Sequence, residues 1–88
     1  MQAYLKCEYR PGLFPSEYVA TFRSCNPDGK DCLFVNATDI KPVDERSGLL
    51  KLRGYSDSDG EKVLVDINDV GDHRLSSFAV HLEDIVNL

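Results

Sequence analysis

Laid over itself at an offset of 45 residues, the chain matches in residue type from end to end. Leu5-Lys6 falls on Leu50-Lys51, the apolar run around Tyr18–Phe22 on Val63–Ile67, and Val35, Asp39 and Ile40 on Val80, Asp84 and Ile85. Identity is confined to Leu5/Leu50, Lys6/Lys51, Val35/Val80, Asp39/Asp84 and Ile40/Ile85, so the match rests on the phase of the apolar residues. Internal repetition constrains architecture before any local reading does. It also makes each half a control for the other.

Within each half the pattern has period two, the signature of half-buried strands. Leu5, Cys7 and Tyr9 alternate with Lys6, Glu8 and Arg10, and Leu50 and Leu52 alternate with Lys51 and Arg53. Tyr18, Ala20 and Phe22 share a face, as do Val63, Val65 and Ile67. Leu33, Val35 and Ala37 form a third set, matched by Phe78, Val80 and Leu82. A tight turn at Thr38-Asp39-Ile40, and again at Glu83-Asp84-Ile85, tucks an isoleucine back toward the core. Asn26-Pro27-Asp28-Gly29 and Ser56-Asp57-Ser58-Asp59-Gly60 end in Asp-Gly, where glycine supplies positive φ for a hairpin turn.

The polar stretch 41–48 joins the halves, residues 1–43 and 46–88, and is too short to separate two domains. Three strands alone are barely stable, so the 88 residues are expected to form one domain with a shared core. The expectation is an all-β fold, a small six-stranded barrel that removes exposed strand edges, built from two three-stranded repeats. It resembles the SH3-like barrel in its late short turn between strands; a pseudo-twofold barrel is the alternative that the repeat favours.

Charge is unevenly placed. Residues 1–43 carry five basic and five acidic side chains; Asp44, Glu45 and a second half with eight acidic against five basic carry the whole net charge of −5. Such a chain lacks the cationic surface that dominates nucleic-acid binding. The first residues, Met1-Gln2-Ala3-Tyr4-Leu5-Lys6, show no basic segment leading into an apolar core, and no apolar run is long enough to span a membrane. Three cysteines make an odd set, which argues against a closed disulfide framework and for free thiols in the cytoplasm.

Candidate sites emerge from the contrast between halves. Pro11-Gly12-Leu13-Phe14-Pro15 is an apolar hairpin tip stiffened by proline, whereas its counterpart, Ser56–Gly60, is wholly polar. Leu13, Phe14 and Pro15 either form a pre-organised contact for a partner or, through Phe14, plug one end of the barrel. On the outer phase, Tyr4/Leu49, Val19/Leu64 and Phe34/Ala79 are matched apolar pairs. They either line up as an interaction patch or are buried where strands bend. The expected contact surface combines Leu13, Phe14 and Pro15 with Tyr4, Val19, Phe34 and Tyr55.

Cys7 and Cys25 align with Leu52 and Val70 and read as core; Cys32 aligns with Ser77 and reads as exposed. Cys25 and Cys32 flank one loop, but the spacing lacks the paired ligands of structural zinc, so no metal or cofactor is expected. Asp57-Ser58-Asp59-Gly60-Glu61 fails as a calcium loop, because the sixth and twelfth positions are Lys62 and Asn68. His73 and His81 read as surface residues. Asp72, His73, Ser76 and Ser77 lack a nucleophile elbow or oxyanion donor, so no enzyme and no small-molecule substrate are expected. The functional expectation is a non-catalytic module that binds another protein or itself. A nucleic-acid-binding barrel using Lys6, Arg10, Arg23, Lys51 and Arg53 is the alternative.

Overall fold

The computed structural model describes residues 1–57 and 60–88. It is all-β, with nine strands among those residues. In chain order they are β1 (Ala3–Pro11), β2 (Glu17–Arg23), β3 (Lys30–Asn36), β4 (Ile40–Pro42), β5 (Ser47–Lys51), β6 (Gly54–Asp57), β7 (Lys62–Asp69), β8 (Arg74–His81) and β9 (Ile85–Asn87). One-turn 3₁₀ segments at Ala37–Asp39 and Leu82–Asp84 precede β4 and β9. No helix among the described residues is long and apolar enough to cross a membrane.

The expected count of six strands needs correction to nine among the described residues. The strands form two antiparallel sheets, one with the order β3-β2-β1-β5-β4 and with β9 added to β1, the other with the order β6-β7-β8. The added strands are the short segments after each 3₁₀ turn and the two pieces of a strand broken at Leu52-Arg53. The link between the halves is itself a hairpin. Val43 N–H donates to Ser47 O at 2.9 Å, and Asp44 Oδ1 accepts from Arg46 N at 2.9 Å and Ser47 N at 2.7 Å.

The molecule is organised around the β1–β5 ladder. Leu5 faces Leu50, flanked by Tyr4 opposite Lys51 and Lys6 opposite Leu49. On their far edges Leu5 pairs with Ile85 of β9 and Leu50 with Ile40 of β4. Adding 45 to one partner and subtracting 45 from the other turns Tyr4–Lys51 into Leu49–Lys6 and Leu5–Ile85 into Leu50–Ile40, and returns Leu5–Leu50 to itself. The backbone bonds between elements follow the same offset. Cys25 N–H donates to Ala79 O at 2.9 Å and Val70 N–H to Phe34 O at 3.0 Å; Ala37 donates to Ser16 and Leu82 to Glu61. The first two bonds tie the two sheets together at their otherwise open edges.

The offset fails in one place. Tyr9 pairs with Ala20, yet Val65, the counterpart of Ala20, faces Tyr55 rather than Gly54. One extra residue therefore lies between β5 and β6, where Arg53 N–H donates to Asp66 O at 2.8 Å. An inserted residue of this kind bends a strand and strengthens its local twist. Here it carries the chain from the first sheet into the second, whereas β1 runs on unbroken.

Alternation delivers the core largely as the sequence implies. Leu5, Cys7, Ala20, Phe22, Val35, Ile40, Leu50, Leu52, Val63, Val65, Ile67 and Val80 form one buried cluster drawn from both halves and both sheets. Phe22 meets Phe78 edge-on, with ring centroids 5.2 Å apart. Leu82 departs from expectation. It sits on the second 3₁₀ turn, 46% exposed, because that turn interrupts the strand alternation. Gly29 has φ +77°, as its hairpin requires. Leu5 and Leu50 are fully buried and face each other, so Leu5→Ala or Leu50→Ala should each cost about 2–5 kcal/mol in urea unfolding. The double variant should cost less than the sum, because the two cavities merge.

Candidate functional site

The β1–β2 connection is a hairpin whose tip stands clear of the body. Gly12 N–H donates to Glu17 O, and Glu17 N–H to Phe14 O, both at 3.0 Å, so the turn is braced from within. A Cβ on Gly12 would lie 3.0 Å from Glu17 Cβ, which explains a glycine at the neck. Leu13 and Phe14 are 78% and 62% exposed, and Pro15 is exposed. Phe14 does not fold back over the core. The plug reading fails because the internal bonds that brace the tip hold it away from the strands.

The remaining expected contact residues do not gather around that tip. Val19 and Phe34 face each other across β2 and β3 on the outer side, both half-buried. Phe34 is covered in part by the chain at Gly71, where an added Cβ would come within 3.4 Å of its ring. Leu64 and Ala79 form the corresponding outer pair, but on the other sheet. Tyr4 lies on the outer row of the β1–β5 ladder. Tyr55, 41% exposed, faces Val65 on the core side of its sheet, and so stands on the opposite face from Leu64. Period-two phase assigned the faces; the extra residue at Leu52-Arg53 shifted Tyr55 between them.

Two groups stand out among the cationic side chains. Arg23 reaches from the end of β2 to the second 3₁₀ turn, where Nε donates to Asp84 Oδ2 at 2.9 Å and Nη2 pairs with Glu83. Those hydrogen bonds, Asp84's first, push the guanidinium pKa upward. Arg53 Nη2 donates to buried Asp39 Oδ1 at 3.1 Å. Asp39 and Asp84 are counterparts across the offset of 45, and each is answered by an arginine from a different place. Lys6, Lys41 and Lys51 form the second group, gathered on the outer side of the β1–β5 ladder. Arg10 lies opposite Val19. The identity of Lys6 and Lys51 across the repeat was the sequence signal for this cluster; its assembly with Lys41 depends on pairing that the sequence does not display.

Titratable groups elsewhere are tied to local structure. Ser76 donates to Asp69 Oδ2 at 3.1 Å and Ser77 to Asp66 Oδ1 at 2.6 Å, while Arg74 pairs with Asp72. His73 is exposed at φ 53° in the β7–β8 turn. His81 is half-buried, contrary to its expected surface position, with Nε2 3.9 Å from Cys25 Sγ. Cys25 is likewise half-buried rather than core, because residue 25 crosses to the other sheet to bond Ala79. All three thiols are free; Cys7 is buried and Cys32 exposed. Among the described residues no three His, Cys, Asp or Glu side chains converge on one point. Ser58 and Asp59, the centre of the acidic turn read against calcium binding, lie outside the described residues.

Comparison with protein-family models, with curated proteins and with solved structures finds no match to this chain.

Two outcomes test this description. Burial and then the neighbouring Glu8 push the Cys7 thiol from its ordinary value of 9.0 up to about 12. A raised folded-state value contributes stability that is complete below pH 9.0 and lost as pH climbs toward 12. Maleimide at pH 8 should accordingly label Cys32 first and Cys7 last, read by mass spectrometry. Arg53→Ala strands the buried Asp39 carboxylate and should lower unfolding free energy by about 1–3 kcal/mol in urea titration. Arg53→Lys should recover part of that loss.

Proposed function

We propose that this chain is a small non-catalytic interaction module that binds another protein or a second copy of itself through the Leu13-Phe14-Pro15 hairpin tip. The observation that carries the reading is the exposure of two large apolar side chains on an internally braced turn. A tip already fixed by its own hydrogen bonds and by Pro11 and Pro15 loses little conformational entropy on docking. The counterpart half has no apolar tip, so the feature is not a requirement of the fold. We further propose that the two sheets form a nearly closed barrel, either pseudo-twofold, as the repeat favours, or SH3-like, with a short turn packed back between late strands.

The nucleic-acid alternative loses support from the pairing of its residues. Of the five cations it needs, Arg23 and Arg53 are held by carboxylates of the protein itself. Phosphate-backbone binding depends on freely available charge and falls steeply with salt.

Phe14→Asp decides the matter. The variant should keep the wild-type melting temperature within a few degrees, because the ring is exposed. It should lose the partner that wild-type protein retains in affinity isolation from the native source, or lose concentration-dependent dimerisation in sedimentation. A large fall in melting temperature would restore the plug reading. Partner binding or dimerisation retained by the variant would remove the tip from the interface.

A further inference from the structure

The outer side of the β1–β5 ladder carries an ordered mixture of cations and apolar groups. One row across β9, β1 and β5 reads Val86, Tyr4, Lys51; the next, across β1, β5 and β4, reads Lys6, Leu49, Lys41. Directly opposed residues in a ladder project to the same side, so all six share one face. Lys41 Nζ lies 5.9 Å from the centre of the Tyr4 ring, which positions that ammonium over the middle of the face. None of the three lysines enters an ion pair among the described residues, although the chain as a whole is acidic.

The face continues into a groove of about 410 Å³ beside β1, lined by Lys6, Glu8, Leu49, Val43, Arg23 and Asp84. The groove exists because β2 leaves β1 after Glu8 while β9 joins it only at Leu5, which leaves that edge of Lys6 and Cys7 without a strand partner. The Arg23 ion pair with Asp84 closes the far wall.

We propose that this face is a docking surface for an acidic, extended polypeptide segment of a partner protein, one in which carboxylates alternate with apolar side chains. Charge complementarity selects the ligand. Three unpaired ammonium groups outnumber the one carboxylate in the next row, Glu8, and so favour an acidic ligand, while Val86, Tyr4 and Leu49 between them demand apolar contact. The spacing also fits, since side chains two apart along a strand lie roughly 7 Å from each other in both surface and ligand. A second copy docking through the same face would place lysines against lysines, so an isologous dimer there is disfavoured. A polynucleotide would meet a single half-buried aromatic ring and a protein of net charge −5. This surface is separate from the hairpin tip, and the two readings stand or fall independently.

The test is fluorescence anisotropy with a labelled decapeptide of alternating Glu and Val, against Ser–Val and Lys–Val decapeptides and a ten-nucleotide oligothymidylate. The Glu–Val peptide should bind saturably and weaken with salt, and the other three probes should bind much less. Lys6→Glu with Lys51→Glu should reduce its affinity by about tenfold or more. Lys41→Gln, at an exposed position, should weaken it with the melting temperature unchanged, and Phe14→Asp should leave it intact. The proposal is overturned by absent or non-saturable peptide binding, by insensitivity to the lysine variants, or by tighter oligothymidylate binding. Dimerisation abolished by Lys41→Gln would overturn it in favour of a second copy.

Discussion

Everything in this molecule hangs on Leu5 facing Leu50. The pair sits in the β1–β5 ladder where the short strands β9 and β4 join its two outer edges. Four strands, two from the ends of the chain and two from its middle, are thereby gathered around two fully buried leucines. The inner side of this ladder seeds the core, and its outer side displays the lysine face. A small domain buries a modest fraction of its surface, so concentrating long-range pairing at one buried point is how this one gains cohesion.

The two sheets are then held at their margins by polar devices. Backbone bonds from Cys25 to Ala79 and from Val70 to Phe34 stitch the edges, and Arg23 and Arg53 each clamp the aspartate of a 3₁₀ turn. The two clamps differ in environment. Asp84 and Arg23 are partly in water, where an ion pair contributes little by itself. Asp39 is buried, so its arginine matters chiefly because removing it would leave a carboxylate without a partner.

Much of this was legible in the chain, and for a definable reason. Period-two alternation reports burial directly, so Leu5, Ala20, Val35, Val65 and Val80 could be assigned to the core from position alone. What escaped was anything that depends on an inserted residue or on distant pairing. A gapless overlay of the halves hides the extra residue near Arg53, because Leu52 still falls on the apolar Cys7. Phe14 could not be placed, since exposure at a hairpin tip depends on the turn's internal bonds rather than on phase. The arginine clamps span 61 and 14 residues in sequence, and no local pattern announces them. His81 and Cys25 meet only because the seam between sheets brings them together.

The extra residue between β5 and β6 has a consequence for how the chain finds its own register. Halves this alike offer a folding polypeptide two nearly equivalent partners for every strand, both within one molecule and between neighbours. Register that is weakly specified invites slippage and exchange of segments between chains. With the insertion, Val65 of β7 receives Tyr55 rather than Gly54, and a glycine in that place would bring no side chain to the contact. Only one half can supply a strand that crosses from sheet to sheet. A single departure from symmetry thus acts as a label, telling the two halves apart.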